Sequence, residues 1–198
     1  MFDYENALIE KGKTLIAGID EAGRGPLAGP VCVASVIMPL DKDNIIEGIN
    51  DSKKLTEKKR EKLYDEIVSK AIDYHIELVD VDTIDSINIL NATKLGMLTC
   101  ISELKTKPDI VLIDAVPISS DIETISIIKG DALSYSIACA SILAKVTRDR
   151  LMLEIDKEYP EYAFAKHKGY GTKLHIENLK KYGKCPHHRE SFIKNFVG

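Results

Sequence analysis

Four acidic positions in this chain sit where they could share one task. Asp20 and Glu21 are adjacent at the end of TLIAGID (residues 14–20), which reads as a strand. Asp114 ends the apolar run DIVLID (109–114), and Asp131 follows TISIIK (124–129) just where a long helix begins. Strand ends on one edge of an α/β sheet open into a common crevice. Carboxylates gathered there repel one another and resist ionising. A divalent cation removes that conflict, and an all-oxygen donor set favours Mg²⁺ or Mn²⁺ over Zn²⁺. Two such ions can activate water and stabilise the leaving oxygen of a phosphodiester. Each carboxylate also has a plainer use, because a strand-terminal Asp makes turns and Asp131 can cap the helix near Ser134. The Asp20–Glu21 pair is harder to explain that way. Consecutive strand residues face opposite sides, so both reach one site only where the strand ends and the backbone turns away. Asp109 and Asp121 fit loop solvation, and Asp149 fits a helix-surface ion pair with Arg148 or Lys145.

Directly after Glu21 comes AGRGPLAGP (22–30). Gly23 and Gly25, flanking Arg24, let the backbone approach a sugar edge and present N–H groups to it. Arg24 either grips a phosphate or braces the carboxylates. A strand follows this segment, so it is not a dinucleotide-binding turn.

The elements that must position these residues follow from periodicity. VCVASVIM (31–38) pairs antiparallel with the first strand, and YHIELVD (74–80) forms a third. Thr56 caps a charged helix running to about residue 71. Ile87, Leu90, Leu95, Leu98, Ile101 and Leu104 recur at helical spacing, which predicts one amphipathic helix over 84–104. The helix from Ser134 runs to about residue 158 and stops before Pro160. The order β-β-α-β-α-β-β-α predicts a mixed sheet covered by helices.

The 198 residues fit a single domain, with a basic C-terminal region over about 160–198. No apolar run approaches the roughly 20 residues that span a bilayer, and the N-terminus has no secretory pattern. The four cysteines stand far apart without metal-binding spacing, which points to a reduced, cytoplasmic protein. Charge is segregated: residues 72–131 carry a net −7, whereas 157–198 carry +5 and four of the five histidines. An acidic centre with a basic end suits a metal site beside a phosphate-gripping surface.

GIDEAGRGPLAGPV resembles the opening signature of the bacterial ribonuclease HII family. NDSKKLTEKKRE, INILNATKLGM, VLIDA, KGDALSYSIACASILAKVTRDRLM, HKGYGTKLH and HHRESF match it in order, so the resemblance covers about residues 14–196. It implies a ribonuclease H-like α/β fold: a mixed five-stranded sheet flanked by helices, with a short helical or irregular C-terminal tail. It also implies an endonuclease that cuts the RNA of RNA–DNA hybrids and nicks DNA duplexes at embedded ribonucleotides. The products would carry 3′-hydroxyl and 5′-phosphate ends, and the roles would be ribonucleotide and RNA-primer removal in DNA repair and replication. The family's metal-binding, catalytic quartet falls on Asp20, Glu21, Asp114 and Asp131, holding Mn²⁺ or Mg²⁺, two ions per site. Its ribose-reading element falls on Gly23, Arg24 and Gly25, and its junction-sensing tyrosine on Tyr170. Cys139 stands where alanine is usual. Presence of Arg24 and only about 13 residues before the first strand favour this type over ribonuclease HIII.

The remaining substrate-binding candidates are basic or polar. Ser52, Lys53 and Lys54 precede a helix N-terminus, suit phosphate contact and by resemblance hold the DNA strand. Lys145 and Arg148 lie one turn apart and can face the substrate, though Arg148 can equally pair with Asp149 or Glu154. In the tail, His188 and Arg189 are candidates for backbone phosphates. The expected partner is a hybrid or a ribonucleotide-containing duplex, bound by a monomer without a membrane.

Overall fold

The structure is a computed structural model that describes residues 1–197. A first helix, α1 (Asp3–Ile9), precedes β1 (Ile16–Ala22) and β2 (Val31–Ile37). A 3₁₀ turn (Ser52–Lys54), α2 (Glu57–Lys70) and β3 (Asp73–Val79) follow, then α3 (Val81–Ile87) and α4 (Ile89–Ser102). The chain continues through β4 (Ile110–Asp114), β5 (Thr124–Ile127), α5 (Gly130–Leu133) and the long α6 (Tyr135–Glu158). A 3₁₀ turn (Pro160–Tyr162) leads to α7 (Phe164–His167), α8 (Lys173–Tyr182) and α9 (Glu190–Ile193). None of these helices is long and apolar enough to cross a membrane.

The sheet order is β3-β2-β1-β4-β5. Strands β1, β2 and β3 pair antiparallel, while β1, β4 and β5 run parallel. The mixed five-stranded sheet anticipated from the strand pattern is therefore present. Strand β2 is buried throughout, and its alternation divides the core in two. Cys32, Ala34 and Val36 face α2 and α6, whereas Val33 and Ile37 face α4.

Close approach of α6 to β1 is the feature that matters most for the site. A Cβ on Gly18 would lie 2.1 Å from the backbone carbonyl carbon of Ser136, so only glycine fits there. The first half of α6 supplies small buried residues, including Ala138, Cys139, Ala140 and Ser141. Its N-terminus is fixed twice. The Ser134 hydroxyl accepts from Ile137 N, and the buried Glu5 carboxylate of α1 accepts from Ser134 Oγ at 2.6 Å and Ser136 N at 3.0 Å. Helix α1 was not anticipated from periodicity.

The helix expected over 84–104 is two helices. Asn88, at φ +66°, breaks the chain, and its side chain caps α4 by accepting from Asn91 N. Leu90, Leu95 and Leu98, expected on the buried stripe, face outward instead. Helix α4 sits too close to the sheet for bulky residues: a Cβ on Gly96 would approach Val33 Cγ2 to 2.8 Å. Ala92, Gly96, Met97 and Cys100 therefore form the inner face.

The tail packs more tightly than its basic composition suggests. Tyr162 and Phe164 stack with centroids 5.3 Å apart and join Met152 and Ile155 of α6 in one cluster. His167, His175 and His188 are buried around them, with His175 Nε2 and His188 Nε2 3.1 Å apart. Burial, reinforced by His175, pushes His188 down to about 4, and burial lowers His167 and His175 too. At neutral pH this core is uncharged.

Replacing Gly18 with Ala should cost folding stability at or above the roughly 1–3 kcal/mol typical of overpacking, read from a urea midpoint; an unchanged midpoint would show that α6 yields easily. A second expectation concerns acid. His188 has a folded pKa below its unfolded value of roughly 6.5, so the unfolded chain takes up the proton first. Stability is then fully present above about pH 6.5 and is lost as pH falls towards about 4. The thermal midpoint of His188→Asn should start lower at pH 7 and fall less between pH 7 and 4.5 than that of the parent chain; parallel curves would assign the acid loss elsewhere.

Candidate active site

Parallel pairing of β1 with β4 places Ile19 beside Ile113, so the next residues, Asp20 and Asp114, are neighbours at the carboxyl end of the sheet. Strand β4 stops at Asp114, but β1 continues to Ala22, paired with β2 through Glu21↔Val33 and Ala22↔Cys32. The strand does not end at Asp20, as expected from sequence. What ends there is pairing on the β4 side, which leaves Glu21 without a neighbour on that edge.

Asp20 is only 4% exposed and accepts from Glu21 N at 2.7 Å. Burial raises its pKa well above the ordinary value, and the charges of Glu21 and then Asp114 raise it further; bonds from Glu21 N and the Ser141 hydroxyl work against them. Glu21 is raised chiefly by burial, with Arg24 pulling the other way. Arg24 Nη1 lies 3.3 Å from Glu21 Oε1, which makes Arg24 a brace for the carboxylates; Glu21 Oε2 is buried with no hydrogen-bond partner.

Asp114 and Asp131 are tied through the backbone. Gly130 N donates to Asp114 Oδ1 at 2.6 Å, and α5 then presents Asp131 one residue later. Burial raises the Asp131 carboxyl, followed by Asp51 and Asp114, against the pull of Lys53. Lys53 Nζ is 3.6 Å from Asp131 Oδ2. Burial disfavours the Lys53 ammonium, but Asp131, Asp20, Asp51 and Asp114 outweigh it and raise its pKa. The four carboxylates are thus electrostatically linked in sequence: Asp20 to Glu21 and Asp114, and Asp114 to Asp131. Among the described residues, no three Asp, Glu, His or Cys side chains lie close enough together to hold a metal ion as they stand. Mutual repulsion on short, anchored side chains opposes such convergence.

Beside the crevice is a cavity of about 310 Å³ lined by Glu21, Gly23, Arg24, Gly25, Ser52, Lys53, Ser141, Lys145 and Tyr170, among others. A larger one, about 690 Å³, lies between the end of α4 and the segment before β5, but its lining carries one carboxylate and no convergent set. The smaller cavity is the one whose carboxylate, Glu21, belongs to the electrostatically linked set. Tyr170 is 44% exposed, and Gly169 beneath it, at φ +84°, approaches Ala28 so closely that a Cβ would lie 2.4 Å from its carbonyl oxygen.

Several basic candidates are placed differently from expectation. Arg148 is fully buried and pairs with neither Asp149 nor Glu154. It donates to the carbonyls of Pro30, Lys168 and Ala28 at 2.9–3.0 Å. Arg189 is likewise buried, donating to Gly29 O, Arg24 O and Gly23 O. Burial, then the charge of Arg148, lowers Arg189 to about 9, so it stays protonated at neutral pH. His188 is enclosed by Cys185 and His175. None of these three can meet a phosphate without unpacking. Lys145 does line the cavity but pairs with Asp149 at 2.8 Å. Ser52 is buried against Ser141, with hydroxyls 2.8 Å apart, and Lys54 is exposed, 3.9 Å from Asp51. Ser141, Asp51 and Gly130 were not singled out from sequence. Ser141 looks like one more small residue of an apolar helix, and only the fold turns it towards Asp20.

A family model described as ribonuclease HII matches residues 17–195. A ribonuclease HII from Acetivibrio thermocellus is 60% identical over 195 residues, covering 98% of this chain and 75% of that protein. Among solved structures, ribonuclease H2 from Pyrococcus horikoshii superposes with a TM-score of 0.77 at 28% identity, covering 91% of this chain and 96% of the other. A Bst ribonuclease HIII in complex with Mn²⁺ gives 0.67 at 16% identity, over 85% and 61%. The sheet order, its covering helices and these superpositions describe a ribonuclease H-like fold. On the strength of the family match and the 60% identity, the chain belongs to the ribonuclease HII family, endoribonucleases of the ribonuclease H type that act on the RNA of RNA–DNA hybrids.

Proposed function

We propose that this chain, acting as a monomer, also nicks duplex DNA at embedded ribonucleotides, using two Mg²⁺ or Mn²⁺ ions and leaving 3′-hydroxyl and 5′-phosphate ends. Removal of misplaced ribonucleotides and RNA primers would be its use in the cell. One observation carries the reading: Asp20, the neighbour of Asp114 across the β1–β4 pair, feels the charges of Glu21 and Asp114, Asp131 feels that of Asp114, and Glu21 borders a cavity shared with a glycine loop and an exposed tyrosine.

The residues fit divalent cations. Every donor is an oxygen, burial and mutual repulsion raise Asp20, and Glu21 Oε2 is a buried acceptor with nothing to accept from. Asp20, Glu21, Asp114 and Asp131 would hold the ions. The Mn²⁺ found with the ribonuclease HIII of the same fold supports that choice. When bound, such ions supply Lewis-acid activation of water and charge compensation at the departing 3′ oxygen.

The protein's own groups do the rest. Arg24 holds Glu21 in place, and the Gly130 amide holds Asp114. Lys53, on a 3₁₀ turn fixed by Asp51 and Ser141, keeps a positive charge over the crevice where a phosphate would enter. Gly23 and Gly25 leave the loop backbone open to a ribose 2′-hydroxyl. Tyr170 offers a flat face on which the following sugar can stack, a test of strand shape.

Cleavage of a labelled duplex carrying one ribonucleotide, with Mg²⁺, Mn²⁺ or chelator, should give one metal-dependent cut next to that ribonucleotide and none in the all-DNA control. Equal cutting of both duplexes would point to a general nuclease. Asp114→Asn should lower kcat by more than the roughly 100-fold that loss of a mere supporting group costs, with hybrid affinity retained. Tyr170→Ala should slow junction cutting about 10-fold or more, the scale of a lost stacking contact. Because Tyr170 is largely outside the core, its thermal midpoint should barely move; a collapse in melting would return the residue to a packing role.

A further inference from the structure

Two arginines with no carboxylate to pair with lie under the Gly23–Gly25 loop. All six of their side-chain hydrogen bonds go to backbone carbonyls: Arg148 to Ala28, Pro30 and Lys168, and Arg189 to Gly23, Arg24 and Gly29. A buried charge without a bonded counter-ion is expensive, and carbonyl dipoles are its direct partners here, with Asp85 and the Phe192 ring helping Arg189 from further off. Such an arrangement calls for a reason beyond packing.

Peptide geometry supplies one. In a trans peptide the carbonyl of one residue and the N–H of the next point in opposite directions, and no peptide bond among the described residues is cis. Arg189 draws the carbonyls of Gly23 and Arg24 inward, at 2.6 and 3.0 Å. The amides of Arg24 and Gly25 must therefore face away from it, and Gly23, Arg24 and Gly25 all line the cavity. Gly23 at φ +97° permits two successive N–H groups on one side, the geometry of an anion- or hydroxyl-accepting nest. Gly23 also cannot be larger, because a Cβ would meet Arg148 Nε at 2.0 Å. The guanidinium fork suits the task, offering five donors in one plane where lysine would offer a point charge.

We infer that Arg189, backed by Arg148, is a positioning residue for ribose discrimination: it sets the peptide planes of the loop so that the Arg24 and Gly25 amides read the sugar 2′-hydroxyl. The inference rests on the proposed reading of the loop as the ribose sensor. Arg189 touches no substrate, and its effect passes through two carbonyls. Phe192, whose ring lies 5.1 Å from the Arg189 guanidinium carbon, and the Leu27 carbonyl, which accepts from Arg189 N, hold the arginine itself in register.

The test compares kcat/KM on a duplex with one ribonucleotide and on the same duplex with a 2′-fluoro nucleotide, for the parent chain and Arg189→Lys. The parent ratio should be large, and the variant's should fall about 10-fold while its circular dichroism stays native. A merely structural role would slow both substrates alike and leave the ratio unchanged, which overturns the inference while sparing the reading of the loop. A parent ratio near one removes both. Should Arg189→Lys not fold, the parent protein still decides. In chelator, adding ribonucleotide-containing duplex should shift the Arg24 and Gly25 amide resonances more than all-DNA duplex does, and equal or absent shifts refute the inward-carbonyl, outward-amide arrangement.

Discussion

Parallel pairing between β1 and β4 is the constraint on which the rest of the structure depends. It brings Asp20 and Asp114 side by side at the same end of the sheet, the first buried and the second half-buried. Burial there disfavours the charge of Asp20, Glu21 and then Asp114 add to it, and Asp114 likewise disfavours the charge of Asp131. The fold resists the conflict through geometry. Gly18 lets α6 lie against β1, Glu5 pins the start of α6, and the Gly130 amide anchors Asp114. These residues fix the backbone that carries the acids.

A second layer of fixing surrounds the glycine loop. Arg148 and Arg189 reach it from α6 and from the tail, so a segment with little side-chain bulk is held by its own carbonyl groups. The tail contributes through packing: Tyr170 projects from a turn whose floor is the uncharged histidine and aromatic cluster. The His175 ring nitrogen bonded to the Tyr170 carbonyl ties that floor to the backbone that carries the exposed ring. The carboxylates, the loop and the tyrosine are thus set by three different packing problems that meet at one cavity.

Much of this was legible in the sequence. The strand pattern led to the mixed sheet and the ordered motifs to the family. Failures share a cause. Leucine spacing over 84–104 looked like one buried stripe because periodicity registers where apolar residues recur, not how closely a helix approaches its sheet. His188 and Arg189 suggested phosphate contacts, and Arg148 either a substrate contact or an ion pair with Asp149 or Glu154, because positive charge signals potential partners but not direction. Their actual partners are mostly carbonyls, which every residue carries, so no side-chain pattern marks them. Ser141 and Gly130 were silent for a similar reason, since their importance lies in what the fold sets beside them.

Metal titration of folding stability tests most directly whether crowded, buried carboxylates at this crevice call for cations. Ligand at about 100 times its Kd stabilises a fold by roughly 2.7 kcal/mol, worth several degrees in a chain of this size. Mn²⁺ should therefore raise the thermal midpoint of the parent protein by several degrees. Asp20→Asn, relieved of one buried charge, should melt higher than the parent in chelator and gain little from Mn²⁺. A parent protein indifferent to Mn²⁺, or a variant that melts lower in chelator and gains as much as the parent, would contradict the claim that repulsion at the β1–β4 edge makes this site bind cations.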